Sequence, residues 1–162
     1  MEYLIDGHNL VGKMPDINLD DPGDEVELVL RLRSWSARGR KRKVTVIFDR
    51  GLPGGEDKGL SSGMVKVIFA PVGRSADSLL INRIQKVKNP AEYALVSSDL
   101  RVIKAAEARR MQVWRSEDFV TRLEQEGEQR AETRTADMAE DPQISAGEVD
   151  MWMEMFDSDP EE

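Results

Sequence analysis

The chain has 162 residues, 40% of them apolar and 33% charged, with 23 basic and 31 acidic side chains and a net charge of −8. That length admits one domain with a substantial core and a tail. The absence of cysteine excludes disulfides and thiolate zinc sites, the single histidine, His8, argues against a histidine-rich metal centre, and no apolar run approaches the roughly 20 residues of a membrane span.

The acidity is not evenly spread. Residues 130–162 hold two arginines and eleven acids, −9, while residues 1–129 hold 21 basic and 20 acidic residues, +1. A near-neutral body that gathers carboxylates in one place must carry basic surface elsewhere, a pattern compatible with a nucleic-acid substrate. The opening Met1-Glu2-Tyr3 has no basic leader, which leads us to expect a cytoplasmic protein with no membrane partner.

In chain order, Tyr3–Ile5 is a short apolar strand that ends on Asp6. A loop is expected from Gly7 to Pro22, then a helix over Asp24–Ala37 with Val26, Leu28, Val29, Leu32 and Trp35 facing inward and Gly39 as its terminator. Lys43–Phe48 is the second strand and ends on Asp49. The Gly-rich stretch 51–63 is a long loop, and Met64–Ala70 is the third strand. Ser75 has the character of an N-cap for a helix reaching about Lys88, broken by Asn89-Pro90. Tyr93–Ser98 is the fourth strand and runs into Asp99. A helix from Leu100 to about Arg110, a short strand Gln112–Trp114 and a Ser116-capped helix carrying Phe119, Val120 and Leu123 complete the body.

Strands alternating with helices specify a mainly parallel sheet with right-handed crossovers. The second-to-third connection lacks a clear helix, and we read it as parallel. The body spans residues 1–125. Residues 126–148 are polar and acidic, the composition of a linker or a frayed helix. Val149, Trp152, Met153 and Phe156 then recur at helical spacing, so 149–158 is a short amphipathic segment that docks on its own domain or on a protein partner.

Several apolar runs therefore end on an aspartate. In a parallel sheet the C-terminal ends of the strands share one edge, where open α/β folds bind ligands. Each aspartate also has a plain local role. Asp6-Gly7 and Asn9 suit a turn, Asp99 suits a helix cap, and Asp77 complements a helix N-terminus. Gathered together, however, four carboxylates repel one another, and hard divalent cations relieve that repulsion.

The set Leu4-Ile5-Asp6-Gly7-His8-Asn9, Val46-Ile47-Phe48-Asp49, Arg74-Ser75-Ala76-Asp77-Ser78 and Ser97-Ser98-Asp99 resembles the NYN domain, a branch of the PIN-like nucleases, and within it the bacterial YacP-like family. The resemblance covers residues 1 to about 125. It implies an α/β three-layer sandwich with sheet order 3-2-1-4-5 and a metal-dependent endoribonuclease. The catalytic, metal-holding acids would be Asp6, Asp49, Asp77 and Asp99, with Mg²⁺ or Mn²⁺ as cofactor. Asn9 would orient the substrate and Ser98 would support the metal shell. Ser78 stands where some relatives carry a second acid, so one or two metals are both open. The implied chemistry is in-line hydrolysis of an RNA phosphodiester by activated water, with RNA as partner, free or within a particle such as the ribosome.

Lys13, Arg50, Lys58, Arg74 and Arg101 adjoin the acidic edge and are the expected substrate contacts. The basic run Arg38–Lys43 precedes the second strand and lies about 20 Å from Asp49, at the opposite edge. Two other readings compete: a non-catalytic RNA-binding or scaffold module of the same fold, and an aspartate-nucleophile phosphohydrolase of the haloacid dehalogenase type. The latter wants an Asp two residues after the first, where this chain has His8.

Overall fold

A strand with apolar side chains on both faces belongs in the interior of a layered fold. The strand Lys43–Phe48 is buried at every residue after Lys43. The computed structural model, which describes residues 1–49 and 54–140 with side chains to residue 129, places it there. Its elements are β1 (Glu2–Asp6), α1 (Gly7–Val11), α2 (Asp24–Arg38), β2 (Lys43–Phe48), β3 (Gly55–Glu56) and β4 (Val65–Phe69). They continue with α3 (Ala76–Lys86), a 3₁₀ turn at Pro90–Glu92, β5 (Tyr93–Val96), α4 (Leu100–Ala108), β6 (Gln112–Trp114) and α5 (Ser116–Glu140). Residues Met1–Gln125 form one compact unit.

The six strands lie in the order β3-β4-β2-β1-β5-β6. Every pairing is parallel except β3 with β4. With the two-residue β3 set aside, this is the expected order, and the second and third expected strands do run parallel, Val44 opposite Val65 and Phe48 opposite Phe69. The Gly-rich loop supplies β3, which folds back antiparallel along the outer side of β4. It escapes the pattern of the sequence because two residues carry no periodicity. The fold-back also moves Lys58 past β3, toward the N-terminal part of β4 and away from the acidic edge, since Asp57 N–H bonds Val67 C=O.

Alternation along the strands loads two cores. On one face Tyr3, Ile5, Val44, Val46, Phe48, Val65 and Val67 meet Leu28, Leu32 and Trp35 of α2 and Phe119 of α5. On the other, Leu4, Ile47, Ile68 and Leu95 meet Leu80 and Ile84 of α3 and Val102, Ile103 and Ala106 of α4. Tyr3, Trp35 and Phe119 pack as an aromatic cluster, with Trp35 edge-on to both others at centroid distances of 4.8 and 5.1 Å. Contacts of this type add about 0.5–1.5 kcal/mol each beyond burial.

Three local expectations change. The segment after Asp6 is not all loop: Gly7–Val11 is helical, with Leu10 and Val11 fully buried. Gly7 is required there because a Cβ would run into the Phe48 ring. The helix Asp24–Arg38 does end before Gly39, but Gly39 is extended, with φ −117°, and the left-handed residue is Lys41, φ 55°. Val26 is 43% exposed and so sits on the outer face of α2. Residues 126–140, expected as a linker or a frayed helix, are the later part of α5, where Glu, Gln, Arg and Ala favour helix even where nothing apolar demands it. The amphipathic segment 149–158 and Arg50 lie outside the described residues. Among the described residues no helix is long and apolar enough to cross a membrane.

Candidate active site

Strand direction assembles the site. Asp6 is the last residue of β1 and Asp49 directly follows β2. Asp99 caps α4 just beyond β5, its carboxylate accepting the Arg101 N–H at 2.9 Å. Asp77 arrives from the other direction, on the first turn of α3. That helix begins where Ser75 and Ser78 close a reciprocal capping box, Ser75 Oγ accepting Ser78 N–H at 3.2 Å and Ser78 Oγ accepting Ser75 N–H at 3.3 Å. Ser78, at the position of the missing second acid, is thus engaged in capping.

The four aspartates are electrostatically one system. Burial is the largest influence on Asp6, which is only 4% exposed. A hydrogen bond to Asp77 and the charges of Asp77 and Asp49 add to it, so the Asp6 carboxyl is pushed up to about 7 from 3.8, although the Asn9 N–H works the other way. Asp77 is raised as well, first by burial and then by its hydrogen bond with Asp99 and the charges of Asp99 and Asp49. Burial also acts on Asp99, but the Arg101 N–H, the bond with Asp77 and the Arg101 charge outweigh it and hold Asp99 low. Arg101 serves as counter-ion, with Nη2 3.2 Å from Asp77 Oδ2 and Nε 3.9 Å from Asp99 Oδ1.

Asp6, Asp77 and Asp99 form a string of carboxyls, with Asp49 beside it. Asp49 Oδ1 accepts the Ala76 N–H at 2.6 Å, so this carboxylate ties the end of β2 to the start of α3. Its backbone N–H donates to His8 Nδ1 at 3.3 Å, which places the ring proton on Nε2, donated to Glu25 Oε1 at 3.0 Å. A Glu25–His8–Asp49 chain therefore braces the site from α2. His8, Asp24 and Glu25 each present a donor atom within 4.8 Å of the others, the group among the described residues that converges in this way. Glu25 sits in the first turn of α2, where acids ordinarily complement the helix end, so nothing in the sequence signals its link to the site.

Asn9 is at the site but its Oδ1 is engaged within the protein, accepting Ser98 N–H at 3.0 Å and Ser116 Oγ–H at 2.6 Å. Ser98 Oγ accepts Ser116 N–H at 3.0 Å and donates to Glu117 Oε2 at 2.8 Å. Ser116, read as a helix cap, is instead fully buried at a junction of three elements. Lys13 pairs with Glu117 at 3.3 Å. Arg74 stands on the rim of a cleft of about 810 Å³, lined also by His8, Leu19, Glu25 and Asp49. Of the expected substrate contacts near this edge, Lys13 and Arg101 are thus already paired with protein carboxylates.

The model of the YacP-like NYN domain matches residues 3–156, nearly the whole chain and well past residue 125. The chain belongs to the YacP-like NYN family. No curated protein matches it. Two crystal structures of Rae1 (YacP) from Bacillus subtilis share the fold. The W164L mutant superposes with a TM-score of 0.67 at 21% identity over 88% of this chain and 86% of that one. The other has a TM-score of 0.65 at 21% identity over 97% and 91%. As a NYN domain, the chain has a PIN-like nuclease fold, and the acidic edge described above is the C-terminal edge of its sheet.

Proposed function

We propose that the protein is a metal-dependent RNA endonuclease whose cation is held by Asp6, Asp77 and Asp99 with Asp49 alongside. The observation that carries this reading is the gathering of the aspartates at one sheet edge, where burial and then the neighbouring Asp77 and Asp49 raise the Asp6 carboxyl to about 7 and Asp77 is bonded in turn to Asp99. A group so disfavoured as an anion fits a hard divalent cation, Mg²⁺ or Mn²⁺, that neutralises it. When bound, such a cation activates water and offsets the charge that develops on the phosphate.

The chain's own residues do the rest. The Glu25–His8 pair and the Ala76 N–H fix Asp49 from two sides. From α1, just after Asp6, Asn9 ties the loop after β5 and the start of α5 together so that Asp6 and Asp99 keep their separation. Arg101, held on Asp77 and Asp99 until a cation replaces it, is then free to meet a substrate phosphate, as is Arg74 on the cleft rim. Membership of the YacP-like NYN family supports RNA as the substrate. The protein would act in the cytoplasm, on RNA free or carried in a ribonucleoprotein particle.

The test is cleavage of a labelled RNA with Mn²⁺ by the full chain and by Asp6→Asn and Asp49→Asn. Cleavage by the parent, abolished by Asp6→Asn and by chelator, is the expected result. Equal cleavage by all three, or none by the parent in any divalent metal, overturns the reading.

A further inference from the structure

The N-terminal edge of the sheet carries a second surface that the nuclease chemistry does not use. A groove of about 630 Å³ opens there between the end of α3 and the starts of β1 and β5. Arg83, Lys86 and Lys88 line it, with the amides of Asn82 and Asn89 and the ring of Tyr93. Glu2 and Glu92 are its acids. Glu2 is turned inward, accepting Thr45 Oγ–H at 3.0 Å and bonded to the Tyr93 hydroxyl.

The charge continues along the same face of the sheet. Glu2 is in register with Lys43 and with Tyr93, and Thr45 with Lys66. Strand alternation puts Lys43 and Lys66 on the α3 side, where both are exposed. No ion pair engages Lys43, Lys66, Arg83, Lys86 or Lys88 among the described residues, whereas Lys13 and Arg101 at the other edge are both paired.

Lysines at the end of a helix ordinarily complement its carbonyls. Here that role is filled: Arg109 Nη1 bonds the carbonyls of Ile84 and Gln85 at 2.8 and 2.7 Å, and Nη2 that of Val87 at 2.7 Å. Lys86 and Lys88 are therefore surplus to the cap. Three unpaired cations in a groove with side-chain amides and an aromatic ring beside them, and two more unpaired lysines further along the same face of the sheet, suit a sugar-phosphate backbone rather than a single small anion.

We propose that this groove is a docking site for the backbone of a structured RNA, separate from the metal edge. The inference rests on the RNA reading above and extends it. The two edges are separated by the six residues of β2, about 20 Å. An RNA that touches both must therefore reach across a span of several phosphates. The protein would then favour folded RNA over short fragments.

The experiment measures binding of an RNA stem-loop by the full chain across a salt series, with chelator present to prevent cleavage. The variants are Lys86→Gln/Lys88→Gln and a control, Lys104→Gln, an exposed lysine on α4 outside the groove. Both groove lysines are exposed, and circular dichroism verifies that the double variant folds. We expect the double variant to bind about tenfold more weakly, with a salt slope shallower by about two, while the control changes by less than about twofold. Unchanged binding by the double variant, or an equal loss in the control, overturns the proposal. If the parent cleaves RNA yet the double variant binds as it does, only the docking groove falls. A parent that neither binds nor cleaves RNA removes both readings.

Discussion

The two ends of the parallel strands are chemically opposite. At the C-terminal end four carboxylates crowd together, and the nearby cations Lys13 and Arg101 are consumed by protein acids. At the N-terminal end Arg83, Lys86 and Lys88 line a groove, Lys43 and Lys66 lie on the same face of the sheet, and none of the five is in an ion pair among the described residues. One strand, β2, and one helix, α3, contribute to both, and β2 sets them about 20 Å apart. A chain whose body is nearly neutral is thus polarised, and its net charge conceals this. Repulsion is concentrated where a cation is wanted, and attraction where phosphates can be gripped without competing for that cation.

The largest test of this contrast removes one carboxylate. Asp6→Asn should lower the rate of RNA cleavage on the order of 100-fold or more, and raise the melting temperature in chelator, because it deletes the buried anion that the fold tolerates worst. Neutralising Lys43 at the other end should do neither. A melting temperature that falls in Asp6→Asn would break the idea of a strained edge.

Acidity tests the same edge without mutation. Folded Asp6 titrates near 7 and an unfolded aspartate near 3.8, so the folded chain holds the extra proton between those values. Stability should therefore fall as pH rises from about 4 to about 7 and be regained on acidification, by on the order of 2–4 kcal/mol. Saturating Mg²⁺ should flatten this dependence by binding the folded state. Denaturant melts at several pH values in chelator, with and without the metal, measure both effects. A profile that rises steadily through this window would contradict them.

A smaller loss is expected at Asn9. Asn9→Ala leaves the Ser98 N–H and the Ser116 hydroxyl without their acceptor, at about 1–3 kcal/mol by urea unfolding. The smallest effect belongs to Arg101, whose side chain is 74% exposed. Arg101→Ala should cost less than about 1 kcal/mol in chelator, and the difference should vanish when Mn²⁺ takes over neutralisation. Calorimetry with and without metal separates the two conditions.

Much of this contrast is legible in the amino-acid sequence. Strands ending on Asp6, Asp49 and Asp99 report their own direction once a parallel sheet is accepted, and the family resemblance supplies the order of the strands. The opposite placement of the run Arg38–Lys43 follows from chain direction alone. What escapes is whatever depends on a partner distant in sequence. Glu25 looks like any acid in a first helical turn until His8 is found against it. Ser116 looks like a cap until Asn9 is found on its hydroxyl. Short elements escape for a different reason: α1 is five residues long, and only the burial of Leu10 and Val11 distinguishes it from a loop.

The central position of β1 has a consequence for how the protein is made. This strand pairs with β2, some forty residues later, and with β5, whose first residue is Tyr93. The latch between Asn9, three residues after Asp6, and Ser116 closes across 107 residues. At roughly 5–20 residues per second, β1 waits several seconds for its second neighbour. Contacts of such long sequence separation fold slowly. A chain interrupted before Ser116 would therefore hold Asp6, Asp49, Asp77 and Asp99 without the junction of Asn9, Ser98 and Ser116 beside them.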